Sequence, residues 1–440
     1  MAAEGMRGSL CVLLFIFAFV AVFCDVNNRQ ITLTTMPDCN SKSYTQECAL
    51  AEQNGDIVVF ATASAVNDSL LYAFSTIGMP TIAVVRVTGD HLSMHFNWTK
   101  FVNESSLEDA ITYEGSDLKV EYRMGLGFSR LIEYNDDGDN ADLEQEDLKP
   151  KNASYWNIRD FKTFHWELDP SSVTQNAFVL TATSENGSIS NTNSTGNWSI
   201  SFKFTVQGNS GRSSELPSLS YGANETQFDF VISNFTPTYP ASRFAVETVF
   251  LSQSTSEMNV ETLESIDDEY SPGVFQIVNW LSNPSDRGSF GFVQWKPVCY
   301  NSAGRSRSTA TKVKNYDLSD TQQQENITRY LNSSIFVSIF HADLYDKKVV
   351  TIRATNVSFG LSQDGTYVAT NYTAWSAAIG FGAPPVDSIS MTVIITISAG
   401  LGLPVIILIL GGVYTCVRKS KLKKSEYEPI TGSVDRNVPK

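Results

Sequence analysis

The run from Ser388 to Val417 holds thirty residues without one charged side chain. At ~1.5 Å of rise per residue, a helix of that length exceeds the ~30 Å hydrocarbon core of a bilayer, so the run predicts one membrane-spanning helix. A helix buried in a soluble core is the competing reading, but such apolar stretches are nearer a dozen residues long. Gly400, Gly402 and Pro404 interrupt the run, which a membrane helix tolerates better than a soluble one. Arg418, Lys419, Lys421, Lys423 and Lys424 follow directly, and clustered Lys and Arg stay cytosolic. The expected topology is a large luminal or extracellular part, a span over residues 388–417, and a cytosolic tail over residues 418–440.

The other apolar run, Leu10 to Phe23, follows Arg7 and ends among Val22 and Cys24. It is too short to span and has the pattern of a secretory signal over residues 1–24, so the mature chain is expected to begin at Asp25. The formal charge is −15; the tail carries seven Lys or Arg against three acidic residues, leaving −19 on the rest. Phosphates would be repelled by so acidic an ectodomain, which excludes nucleic acid as a partner.

Glycosylation sequons start at Asn67, Asn97, Asn103, Asn152, Asn186, Asn193, Asn197, Asn224, Asn234, Asn326, Asn332, Asn356 and Asn371. They use thirteen of twenty-nine asparagines, about twice what chance placement of Ser and Thr predicts, and all lie between the two apolar runs. A hydrated glycan cannot be buried, so these asparagines are expected at the surface. Of six cysteines, Cys11 and Cys24 fall in the signal and Cys416 at the cytosolic membrane edge. That leaves Cys39, Cys48 and Cys299 for one disulfide and one odd thiol. Cys39 with Cys48 closes the shorter loop, and Cys299 with either is the alternative.

Between these features the chain reads as strands. In "NWSISFKFTVQG", Trp198, Ile200, Phe202, Phe204 and Val206 alternate with polar residues, the period of a half-buried antiparallel strand. "KTFHWELD" repeats the pattern, and further β-branched or aromatic runs include "DIVVFATASAV", "TIAVVRVTG", "LKVEYRMGLGFSRLIEY", "RFAVETVFL", "SIFVSIF" and "VVTIRATNVSF". An all-β ectodomain of sandwich type is expected. Its length predicts two β-sandwich-like modules, residues 25–215 and 216–387, divided in the Gly-, Ser- and Pro-rich stretch from Gly208 to Thr226.

Candidate chemistry is sparse. The acidic run Asn135 to Leu148 offers Glu133, Asn135, Asp137 and Glu144 at calcium-loop spacing. However, Glu133 is a poor first ligand and the segment before it reads as strand, which favours a solvated acidic loop. His91 and His95 are four apart, but on a strand that is ~13 Å, too far for one ion. Asp267 and Asp268 would diverge on a strand and could not flank one glycosidic bond. No nucleophile elbow, phosphate loop or zinc-protease motif occurs. No catalytic residue, metal or cofactor is therefore assigned.

On the tail, Tyr427-Glu428-Pro429-Ile430 fits a tyrosine sorting signal, in which Tyr427 and Ile430 fill two pockets of a clathrin adaptor as the peptide adds to a sheet edge. With that address, "SIDDEYSPGVFQ" (Ser265–Gln276), "FVQWKPV" (Phe292–Val298), "APPVDSIS" and "SEYEPI", the chain resembles the glycosylated lysosomal membrane protein family. The resemblance runs from about Asp56 to the tail, and departs from the family in the ten residues after Ile430. It implies a non-enzymatic accessory subunit that binds a major-facilitator-type lysosomal transporter, an exporter of small peptides. The subunit shields the transporter from lysosomal proteases and supports its delivery. A membrane-tethered luminal hydrolase is the alternative; a homodimer is compatible with either. Because a docking face must stay free of sugar, the sequon-free stretch between Asn234 and Asn326 marks Tyr270, Phe275, Trp280 and Trp295 as partner-interface candidates.

Overall fold

A computed structural model describes residues 28–40, 43–103, 107–143, 155–183, 198–254, 256–264, 276–282, 290–318, 328–386 and 391–425. In chain order the first strands are β1 (Gln30–Thr35), β2 (Val58–Ser64), β3 (Ser69–Ser75), β4 (Thr81–Phe96), β5 (Ile111–Asn135), β6 (Trp156–Asp160), β7 (His165–Leu168), β8 (Ala177–Thr183) and β9 (Ser199–Val206). After residue 208 come β10 (Gly211–Arg212), β11 (Ser220–Tyr221), β12 (Glu225–Ser233), β13 (Ser242–Gln253), β14 (Asn259–Glu264) and β15 (Gln276–Leu281). The last are β16 (Gly291–Tyr300), β17 (Ala310–Asp317), β18 (Val350–Phe359) and β19 (Tyr372–Phe381). The helices are α1 (Thr45–Asn54), α2 (Trp98–Asn103), α3 (Phe336–Phe340) and α4 (Met391–Ser425).

Every strand pairing among the described residues is antiparallel. One sheet runs β1–β2–β3–β4–β5–β13–β18–β17, with β6 beside the C-terminal half of β5. The other runs β7–β8–β9–β12–β19–β16–β15–β14. The end of β16 also pairs with β17, so the two sheets are one curled surface. Their inner faces meet through aromatic rings: Phe74 lies 5.0 Å from Phe178 and 4.9 Å from Phe204, and Phe128 lies 4.5 Å from Phe202 and 5.1 Å from Phe228. Each such pair adds about 0.5–1.5 kcal/mol beyond its area burial. The alternation in β9 is the one its sequence predicts, with Ile200, Phe202, Phe204 and Val206 all buried.

The expected division at residues 215 and 216 is not found. Strands from either side of it are hydrogen-bonded neighbours: β9 with β12, and β5 with β13. One continuous core holds Phe74, Phe202, Phe250 and Trp375 alike. The Gly- and Ser-rich stretch is a connection inside a sheet, folded into the small β10–β11 hairpin. Its composition marks a turn, and turns within a sheet have the same residues as linkers between domains. Residues up to Asp387 form one compact unit, and the segment from Ser388 onward is separate.

"SIFVSIF" is also not a strand. Phe336 to Phe340 form the short helix α3, seated on the face of β5 that turns away from the second sheet. Gly125 and Gly127 leave room for it: a Cβ at Gly125 would come within 2.2 Å of the Phe336 ring. A short apolar run has no periodicity that separates buried strand from buried helix. In the separate unit, α4 contains an apolar stretch, Ile394–Lys421, long enough to cross a membrane and with none of its apolar window buried in protein.

Candidate functional site

Five sequon asparagines lie in connections or at element ends. Asn67 lies between β2 and β3, Asn103 closes α2, Asn234 follows β12, Asn332 precedes α3 and Asn371 precedes β19; all five are exposed. Asn234 and Asn371 have φ of 53° and 52°, a left-handed conformation that asparagine tolerates better than most residues. The Asn234 N–H donates to the Asn371 carbonyl at 2.8 Å. Asn97 and Asn224 are half-buried, and Asn224 accepts a 2.7 Å bond from Arg29 Nε on its carbonyl oxygen. Asn152, Asn186, Asn193, Asn197 and Asn326 lie outside the described residues.

Asn356 overturns its expectation. It is 0% exposed, in the middle of β18 between Glu247 of β13 and Tyr316 of β17, and neither amide atom has a hydrogen-bond partner among the described residues. A glycan there and this fold exclude each other. Glycosidase release in heavy-oxygen water is therefore expected to label Asn67, Asn103, Asn234, Asn332 and Asn371 but leave Asn356 at background. Substantial labelling at Asn356 would contradict the strand assignment.

The proposed interface aromatics divide differently from expectation. Trp280 and Trp295 are each 2% exposed and meet edge to face, 5.3 Å apart, with Trp375 6.4 Å from Trp295. They are core residues, because their positions on β15 and β16 point into the sandwich. Tyr270 and Phe275 lie outside the described residues. What the sequon-free stretch does expose is Val260 and Leu263 of β14, at 40% and 42%.

Of the acidic candidates Glu133 is structural, Asp137 is exposed, and Glu144 lies outside the described residues. Arg243, 3% exposed on its side chain, bonds Asp136, Asp139 and Asp364 together with the Leu361 carbonyl. Glu133 is fully buried and takes bonds from Arg159 at 2.9 Å, the Thr238 hydroxyl at 2.7 Å and the Ser242 hydroxyl at 2.6 Å. The start of the expected solvated loop is thus a set of buried ion pairs that anchors β5 to β13. Glu247 is likewise held by Arg130 and Ser129. His95 bonds the Ser93 hydroxyl at 3.1 Å and lies 3.5 Å from each of Asp38 and Glu114; the His91 side chain, Asp267 and Asp268 are outside the described residues. Among the described residues no group of three His, Cys, Asp or Glu could hold a metal. Cys39 and Cys48 form the disulfide, with Cα atoms 5.8 Å apart, and Cys299 is a free thiol buried in β16.

A chain with an all-β, sequon-studded body and, among the described residues, one helix long and apolar enough to cross a membrane has relatives of known name. The family model described as glycosylated lysosomal membrane protein matches residues 57–422. This chain belongs to the glycosylated lysosomal membrane protein family. The Danio rerio protein of that name is 32% identical over 368 residues, 83% of this chain and 84% of its own length. Glycosylated lysosomal membrane protein A of Xenopus laevis is 32% identical over 375 residues, 85% and 88% of the two chains. The human protein is 27% identical over 374 residues, 83% and 84%. The match takes in β2 through the membrane-spanning stretch; Tyr427 and Ile430 lie beyond it and outside the described residues.

For a glycosylated lysosomal membrane protein, the most telling buried acid is Glu225, which sequence patterning did not single out. It is 1% exposed at the start of β12, and one carboxyl oxygen has no partner among the described residues. Burial pushes its carboxyl well above the usual range, against the smaller opposing effect of a backbone bond from Gly222. An acid whose folded pKa is raised favours the fold below its unfolded value of ~4.3 and penalises it as pH rises toward the folded value, by up to ~1.4 kcal/mol per pH unit. Glu225→Gln is expected to raise the melting temperature at neutral pH and to leave it nearly unchanged near pH 4.5. Equal shifts at both pH values would count against a protonated Glu225.

Proposed function

We propose that the chain is a single-pass type I protein with its ectodomain in the lysosomal lumen, serving as a non-enzymatic accessory subunit of a major-facilitator-type transporter of small peptides. The ectodomain shields the transporter's luminal loops from proteases and accompanies it to the lysosome, while Tyr427 and Ile430 engage a clathrin adaptor. The observation that carries this reading is the arrangement of exposed sequon asparagines at the turns and strand ends of one continuously packed sandwich. Glycans at such points cover the loops that proteases need, and close packing of the strands denies local unfolding. Among the described residues the buried acids Glu133, Asp136 and Glu247 are committed to ion pairs that hold strands together.

Removing the chain from cells is expected to shorten the lifetime of such a transporter several-fold, and inhibition of lysosomal proteases is expected to restore it. If the transporter's lifetime is unchanged, the shielding role fails. Turnover of a substrate by the purified full-length chain would instead establish the tethered hydrolase.

A further inference from the structure

Sequons are unevenly spaced along the chain. Sequons occur beside β2, β3, α2, β12, α3 and β19, but none lies between Asn234 and Asn326, the stretch that contains β13 to β17. Within that stretch the second sheet ends in β14, whose one strand partner among the described residues is β15. Five of its six residues are exposed, including Val260 and Leu263 on opposite faces, and Glu261 and Glu264 add negative charge. An edge strand with free N–H and C=O groups is a template for another strand, and most proteins cover it, bulge it or crowd it with charge. Here two large apolar side chains remain beside the acidic ones.

Gln294 of β16 donates to the Pro385 carbonyl at 2.9 Å, and the Gly382 N–H donates to the Phe290 carbonyl at 2.8 Å, so the residues that lead to the membrane-spanning stretch are fastened beside β15 and β16. On the accessory-subunit reading the occupant is anchored in a membrane rather than soluble. A second copy is disfavoured, because pairing β14 with itself would gather Glu261 and Glu264 from two acidic strands.

Resting on the accessory-subunit reading, we infer that β14 is the docking edge for the membrane partner, receiving an extended, basic luminal segment of it by strand addition. Main-chain bonds along β14 supply the register, Val260 and Leu263 contact the partner's alternate side chains, and the carboxylates select Lys or Arg.

The two exposed apolar positions allow a direct test. Val260→Asn completes Asn-Glu-Thr and Leu263→Asn completes Asn-Glu-Ser, so each single change can place a glycan on the edge. Glu114→Asn completes Asn-Gly-Ser on the β4–β5 hairpin and serves as the control glycan. Full-length chains are purified from lysosomal membranes in mild detergent, and the co-purifying polytopic transporter is quantified against the wild type. Glycosylated Val260→Asn and Leu263→Asn are expected to retain on the order of tenfold less transporter, while Glu114→Asn retains it fully. Glu264→Lys, which adds no sugar and alters an exposed side chain, is expected to lose it several-fold. Wild-type retention by the glycosylated β14 variants overturns the docking edge, as do equal loss with Glu114→Asn, wild-type retention by Glu264→Lys, and a β14 contact that crosslinks only to a second copy. If the wild type itself retains no transporter, the accessory reading fails, and with it the proposal that rests on it.

Discussion

Arg243→Ala is expected to destabilise the ectodomain by about 3–5 kcal/mol, the cost of breaking a buried ion pair from one side. Asp136, itself 6% exposed, would lose its counter-charge and stay inside, while Asp139 and Asp364 would lose the guanidinium that ties the end of β5 to the segment after β18. The Gly360 backbone packs against the same guanidinium so closely that a Cβ there would come within 1.9 Å of it. Arg243→Lys keeps one positive charge but cannot bond three carboxylates and a carbonyl in one plane, so it is expected to recover only part of the loss. Thermal unfolding of the full-length chain in mild detergent checks both variants. An Arg243→Ala melting curve that superimposes on the wild type would mean that the network contributes nothing to the fold.

Tyr427→Ala is expected to move most of the chain from lysosomes to the plasma membrane. The aromatic ring fills the first pocket of an adaptor that reads the peptide as an added strand, and no other residue of the Tyr-Glu-Pro-Ile sequence can occupy that pocket. Surface biotinylation compared with lysosomal immunostaining measures the shift. Unchanged lysosomal residence would show that the address lies elsewhere, for instance in the partner. Ile430→Ala is expected to act in the same direction, because the signal needs both pockets filled.

The strands were readable where one face meets the core and the other meets solvent or polar neighbours, as in β9, because burial then alternates with the side-chain period. Central strands lose that signature. β13 and β19 are buried on nearly every residue, and α3 is buried in the same way, so Ser334 to Phe340 read as strand although Phe336 to Phe340 fold as helix. The division into modules was not legible because β9 pairs with β12 and β5 with β13, and sequence patterning specifies the faces of a strand but not its neighbours.

At the candidate sites, residue type alone misled in both directions. Trp280 and Trp295 have interface chemistry and core positions, whereas Val260 and Leu263, ordinary core residue types, are the ones exposed. Asn356 satisfies the sequon pattern inside a run rich in β-branched residues, "VVTIRATNVSF", and that strand context was the available signal for its burial. The same signal was present for Arg243 and Glu247: a charged residue within "RFAVETVFL" must find a partner, since an isolated charge in such a strand would be too costly to bury.

The accessory-subunit account is tested most directly by identifying what the full-length chain retains when lysosomal membranes are dissolved in mild detergent. The account predicts one polytopic transporter at near-equal amount, recovered by mass spectrometry alongside the glycoprotein. Recovery of the glycoprotein alone, under conditions in which other lysosomal membrane complexes stay intact, would contradict it.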